Sequence, residues 1–226
     1  MRDIYIALSG ATAAWDHLSA VSNNLANAQT QGYRETRVAF ELAGPPGSMG
    51  SQYAATGKTS YSTEDGALQM DNDPNHIALR GDGFFALDDG TFTRDGSFRL
   101  DNEGQLVTSD GAAVLADGGA IQVAAGESFT VASDGTVTGS KSGELGRISV
   151  VSLGGARPLG GNRWSGTPGE TKEGTTFVQG AVEGSNADTM RGMIEMMEAS
   201  RYFEAEQKAI QASDEIRARL NRIGGS

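Results

Sequence analysis

Two imidazoles, His17 and His76, are the only side chains in this 226-residue chain whose ordinary pKa lies near neutrality, and cysteine is absent. A thiolate nucleophile and a thiolate metal site are therefore both excluded. A tetrahedral zinc centre would have to be built from carboxylates, since no histidine pair stands at helical spacing to anchor it. Gly57-Lys58-Thr59 ends like a phosphate-binding loop, but the leading glycine would fall where Gln52 stands. Gly81-Asp82-Gly83 has Ala86 where a dinucleotide loop needs its third glycine, so it reads as a hairpin corner. Asp71-Asn72-Asp73 opens like a calcium loop, yet His76 occupies the sixth position, which that loop reserves for glycine. There is no Gly-x-Ser-x-Gly elbow, and acid pairs such as Asp88-Asp89 read as solvated turn residues. The expectation is a protein that is not an enzyme and holds neither cofactor nor metal.

Amides carry a stronger message. Ser22-Asn23-Asn24-Leu25-Ala26-Asn27-Ala28 places Asn23, Asn24 and Asn27 at the end of an apolar-periodic segment. Each asparagine costs roughly half a kcal/mol relative to alanine inside a helix. Either the helix frays there, or the amides bond to the backbone of a neighbouring segment and fix its register. Gly32, followed by Tyr33, offers the left-handed residue that closes such a segment.

The elements that must position these residues are two helices. Ile4, Leu8, Ala11, Trp15, Leu18, Ser22 and Leu25 alternate in steps of four and three, the seam spacing of a coiled coil. That spacing predicts a helix over 4–28, about 37 Å long. Met190, Ile194 and Met197 repeat the alternation; after a slip of one residue it continues through Tyr202, Ala205, Ala209, Ala212, Ile216, Leu220 and Ile223. Phe203 lies beside this row, and Met190, Met193, Met196 and Met197 supply adaptable packing for either a core or an assembly seam. Neither helix has a neighbour in sequence to cover its stripe. They are expected to meet each other or other subunits.

Between the helices the pattern changes. Asp-Gly pairs begin at 65, 82, 89, 95, 110, 117 and 134 and separate short apolar runs such as Phe84-Phe85-Ala86-Leu87 and Ile148-Ser149-Val150-Val151. Asp-Gly supplies the positive φ of hairpin turns, so this region predicts an antiparallel β domain. Residues 44–60 are rich in Gly, Ser, Pro and Thr and read as a connector. The expected fold class is α+β. Residues 1–32 and 183–226 pair as a coiled-coil helical domain, 33–64 form an extended linker and 65–182 a β-rich domain. Ser185-Asn186 is expected to cap the second helix, with Asp188 adding negative charge at its start.

The formal charge of -11, from 29 acidic and 18 basic residues, argues against a nucleic-acid partner. No run approaches the roughly 20 apolar residues of a spanning helix. Met1-Arg2-Asp3-Ile4-Tyr5 does not open like a secretory signal peptide. A protein that is cytosolic, or exported without a cleaved signal, is the expectation.

Three segments together resemble the bacterial flagellar basal-body rod and hook family. They are Ser22-Asn-Asn-Leu-Ala-Asn-Ala-Gln-Thr-Gln-Gly-Tyr-Arg34, then Ile77-Ala-Leu-Arg-Gly-Asp-Gly-Phe-Phe85 with Phe92-Thr-Arg-Asp-Gly-Ser-Phe98, and finally Val182-Glu-Gly-Ser-Asn186 leading to Arg201-Tyr-Phe-Glu204. Ile4-Tyr5-x-Ala7 is similar to the FlgF-type proximal rod subfamily. The resemblance implies a structural subunit of the proximal rod that self-assembles through its terminal helices and transmits torque. Its implied partners are itself, other rod proteins and the type III flagellar export apparatus, with no nucleic acid and no membrane insertion. The implied assembly interface comprises Ile4, Leu8, Trp15, Leu18, Asn23, Asn24, Leu25, Asn27, Gly32, Tyr33, Met190, Ile194, Met197, Phe203, Ile216 and Leu220. A distal rod or short hook-family protein, and a soluble β-domain binding module, are the alternatives.

Overall fold

The computed structural model describes residues 2–43, 53–171 and 174–224, and the chain divides into two units. The first comprises residues 1–27, 35–62 and 187–226; the second comprises 28–34 and 63–186.

The first unit holds helix α1 (Arg2–Ala26), the strands β1 (Thr36–Ala43) and β2 (Tyr53–Tyr61), and helix α2 (Thr189–Gly224). β1 and β2 pair antiparallel from Thr36↔Tyr61 to Ala43↔Tyr53, with a bulge between Val38 and Phe40. This hairpin occupies the span read above as extended linker. Asp188 caps α2: its carboxylate accepts from the backbone N–H of Met190 at 2.8 Å and of Arg191 at 3.0 Å. The expected cap at Ser185-Asn186 thus falls short of the helix start by two residues.

The expected coiled-coil pairing of the helices is overturned. Among the described residues there are two helices, one near each end, and the remaining regular structure is strand. The buried face of α1 departs from the heptad seam: of the described seam positions only Ala11 is buried and Leu18 and Leu25 half-buried, the other buried residues, Ala13, Ala14, Val21 and Asn24, lie outside it, and Leu8 is 52% exposed and Trp15 57% exposed. Interdigitating knobs need large side chains at the seam, and here the buried positions are mostly alanine, which lets neighbouring elements approach closely. Two elements compete for that surface. Trp15 meets Phe203 of α2 with ring centroids 5.7 Å apart, and His17 meets Phe40 of β1 edge-on at 5.7 Å. At 36 residues against 25, α2 also outruns α1 by about three turns.

The second unit is all β, as the Asp-Gly pattern predicts. Phe84–Ala86, Phe92–Thr93, Val150–Gly160 and Arg163–Gly169 close a small barrel. Ile77–Arg80 pairs with Thr176–Gln179, and Leu68–Met70 pairs with Ala181–Glu183, so strands far apart in sequence lie side by side. Ile77, Leu79, Phe85, Leu87, Phe98, Leu106, Val137 and Phe177 lie in one buried cluster, with Phe85 and Phe98 edge-on at 4.9 Å. At the turn Asp134-Gly135 the carboxylate accepts from the Thr136 N–H at 3.0 Å while Gly135 takes φ +91°. A Cβ on Gly135 would stand 2.6 Å from the Phe177 ring, so turn and core both require glycine.

Several of these turn carboxylates titrate below their ordinary range. The imidazole of His76 bonds to Asp71 and lowers its pKa; hydrogen bonds from Arg163 and Thr108 lower that of Asp110; the N–H and hydroxyl of Thr136 lower that of Asp134. A carboxylate depressed in the folded state takes up its proton more readily when unfolded. Its stabilisation is therefore complete above the unfolded pKa and is lost as pH falls through the folded one. The denaturation midpoint of the chain is expected to change little above pH 5 and to fall below about pH 4. Asp110→Asn should flatten part of that acid limb; a midpoint that rises on acidification would contradict it.

Candidate assembly interface

In the first unit the described helices carry a row of apolar side chains open to solvent. Met190, Ile194, Met197, Tyr202 and Ile216 on α2 are each more than half exposed, as are Leu8 and Trp15 on α1, and Met193 is nearly so. Met190, Met193, Ile194 and Met197 follow the i, i+3, i+4, i+7 spacing that places them on one helical face. Leu18, Leu25 and Phe203 are half-buried within the unit. Ile4 and Leu220 lie in the helices, but their side chains fall outside the described residues. Gly10, Ala13, Ala14, His17, Phe40, Glu198, Ala199 and Tyr202 line a mainly apolar groove of about 450 Å³.

The asparagines at the end of α1 have distinct roles. Asn24 is buried, and its amide pairs with both backbone groups of Thr36: Nδ2 donates to the carbonyl at 2.9 Å and Oδ1 accepts from the N–H at 2.8 Å. It stands in for a strand partner at the first residue of β1. Asn27 instead donates to the carbonyl of Asn23 at 2.9 Å and to the Asn23 side chain at 2.8 Å, inside its own helix end. Asn24→Ala is expected to cost about 1–3 kcal/mol, because it removes both partners of Thr36. Denaturation together with hydrogen exchange at the Thr36 amide would check this, and unchanged protection there would contradict it.

In the second unit Gly32, Tyr33 and Arg34 belong to a buried cluster of charge. Gly32 takes φ +67°, and its N–H donates to the carbonyl of Glu183 at 2.8 Å. A Cβ there would stand 2.6 Å from the backbone of Arg94 and Asp95, so only glycine fits. Tyr33 is half-buried, and its carbonyl accepts from the N–H of Asn186 at 3.3 Å. Arg34 pairs with Glu183 at 2.9 Å and Asp65 at 3.3 Å, and donates to the carbonyl of Glu64. Arg94 and Glu183 are each 1% exposed and form an ion pair. Arg94 also reaches Asp65 at 3.1 Å and the carbonyls of Leu79, Gly81 and Gly83. The second oxygen of Glu183 accepts from the Gly66 N–H at 2.8 Å. Burial pulls the Arg34 guanidinium below its ordinary value, and the carboxylate of Glu183 opposes that. Among the described residues no buried side-chain polar atom lacks a partner, so the cluster is satisfied throughout.

Comparison with known proteins decides the family. Over 99% of its length the chain is 32% identical to the flagellar basal-body rod protein FlgG of Borreliella burgdorferi, covering 98% of that protein. The chain belongs to the flagellar basal-body rod protein family. The FlgG of Bacillus subtilis is 32% identical over 96% of both chains, and the basal-body rod protein FlgF of Escherichia coli is 28% identical over 97% of both. Three family models match in order along the sequence. Residues 4–34 match the flagella basal body rod protein model, 78–139 the flagellar hook protein FlgE/F/G D1 domain, and 178–223 the flagellar basal body rod FlgEFG protein C-terminal model.

As a member of this family the rod protein is a structural subunit of the flagellum basal body, and it assembles with other basal-body proteins. Its matched segments contain Arg34 and Arg94, and Glu183 as well. These three residues lie within the segments that carry the resemblance and outside the expected interface. The nearest signal in the sequence is the run of glycines at 66, 81 and 83, whose backbone these charges bond: the Gly66 N–H donates to Glu183, and the Gly81 and Gly83 carbonyls accept from Arg94.

Proposed function

We propose that this rod protein self-assembles through the exposed apolar faces of α1 and α2 and transmits torque within the proximal rod. The observation that carries this reading is the row Met190, Ile194 and Met197, with Leu8 and Trp15, left open to solvent in a chain of the rod family. A row of that kind is a surface awaiting a partner. Torsional load is best borne by many packed contacts, and the row supplies them without any single strong bond. The chain performs no reaction in this role. Its partners are further copies of itself and the other rod proteins, and the flagellar type III export apparatus delivers it. Neither nucleic acid nor insertion into a membrane enters the reading. Among the described residues no helix is long and apolar enough to span a bilayer.

The proximal position is supported by chain length. The 226-residue chain aligns with FlgF of E. coli over 244 positions, but needs 261 to accommodate FlgG of B. burgdorferi. A distal position is the second reading, favoured by the higher identity to that FlgG, 32% against 28%. Electron microscopy of basal bodies from a deletion strain, beside its complemented parent, tests both. Loss of the rod beyond the inner-membrane ring places the protein proximally, and a truncated rod that stops short of the hook places it distally. A complete rod and hook would overturn the reading.

A further inference from the structure

The chain passes between its two units at 27/28, 34/35, 62/63 and 186/187. Residues flanking three of these passages are drawn into the buried charge cluster of the second unit. Arg34 stands at one passage, Glu64 and Asp65 follow another, and Glu183 and Asn186 precede the third. Arg94 lies between them and pairs with both Asp65 and Glu183. Backbone bonds add to the tie. Gly32 donates to the Glu183 carbonyl at 2.8 Å, Gly184 donates to that of Ala67 at 2.9 Å, and the Asn186 amide donates to that of Glu64 at 2.9 Å.

We propose that Arg34, Asp65, Arg94 and Glu183 form a clamp that holds these three passages together, so that force entering the second unit is shared among them. The physical case rests on geometry. Each segment alone is held by a few hydrogen bonds at the start or end of a short strand, and a short strand pulled along one end peels bond by bond. Segments that share one buried carboxylate do not peel independently, because releasing any one removes a charge or a donor that balances the groups left buried. Glycine 32 serves the same end, since its missing side chain lets the segment lie flat on the Arg94-Asp95 backbone. The force-sharing role rests on the rod-subunit reading; the clamp itself does not.

The test is hydrogen exchange on the full-length chain with Arg34→Met. The amides of Gly32, Gly66 and Gly184 are expected to exchange together, about a hundredfold faster, while that of Ile148 is unchanged. Acceleration at Gly32 alone, or at none of them, would overturn the clamp. Should the methionine variant fail to fold, Arg34→Lys keeps the charge but lacks the fork and reads the same three amides. In cells, the variant is expected to build rods and to stop swimming at a lower medium viscosity than wild type. Joint acceleration with wild-type swimming at every viscosity would overturn the force-sharing role. Failure of the rod reading itself would show separately, as intact rods in the deletion strain.

Discussion

Glu183→Gln is expected to destabilise the chain by about 3–5 kcal/mol, more than any other single polar change. The carboxylate is 1% exposed and serves two guanidiniums and a backbone N–H. The amide keeps one oxygen acceptor but removes the negative charge. Arg94, buried equally deeply, would then face only the partly exposed Asp65, and Arg34 would share it. Burying charge without compensation is what makes such a change costly; the pair itself contributes far less. A double-variant cycle separates these effects. Adding Arg34→Met to Glu183→Gln removes one of the stranded cations, so the two costs should be far from additive. Denaturant midpoints of the four chains measure the coupling. Additive costs, or a loss below 1 kcal/mol for Glu183→Gln, would mean that backbone bonds alone hold the cluster.

The second large effect concerns function and leaves the fold alone. Ile194→Asp is expected to abolish rod assembly and motility while changing stability by less than about 0.5 kcal/mol. Ile194 is 53% exposed and lies on the same face as Met190 and Met197, so an isolated subunit tolerates a charge there. In an assembled rod the same carboxylate would be taken out of water against apolar side chains without a partner, at a cost of several kcal/mol per subunit. Repetition along the structure multiplies that cost. Ile194→Val, which keeps the surface apolar, should remain motile. A motile Ile194→Asp strain would remove this face from the interface, and a chain with a lowered denaturation midpoint would show that the face belongs to the monomer's own core.

Much of this architecture is legible in local chemistry. Asp-Gly pairs favour turns because they combine access to positive φ with a side chain that caps the next N–H, as Asp134-Gly135 does; Gly83, Gly90 and Gly111 also take positive φ, whereas Gly66, Gly96 and Gly118 do not. A β domain follows from the short apolar runs between them. Helical periodicity marks two helices, and the observed spans Arg2–Ala26 and Thr189–Gly224 correspond to those stripes. The three motifs point to the rod family because their residues and order are specific. Which face of a helix is buried is another matter. Periodicity records where apolar residues recur, but burial depends on what arrives to cover them. In α1 the alanines at 11, 13 and 14 are buried while Leu8 and Trp15 stay open, since the hairpin of β1 and β2 claims part of the helix surface. Of the segment 44–60 that reads as a connector, 44–52 lie outside the described residues, and the rest becomes paired strand through a partner supplied by the same chain.

By itself, the sequence determined the two terminal helices, the β-rich character of the region between them and the family, because each rests on neighbouring residues or on short motifs. Tertiary structure alone decided the meeting of Arg34, Asp65, Arg94 and Glu183, separated by up to 149 positions in the chain. An arginine in a motif has the same local signature whether it faces water or an interior carboxylate. Only the folded backbone, brought close at Gly32 and paired between Leu68–Met70 and Ala181–Glu183, makes that choice.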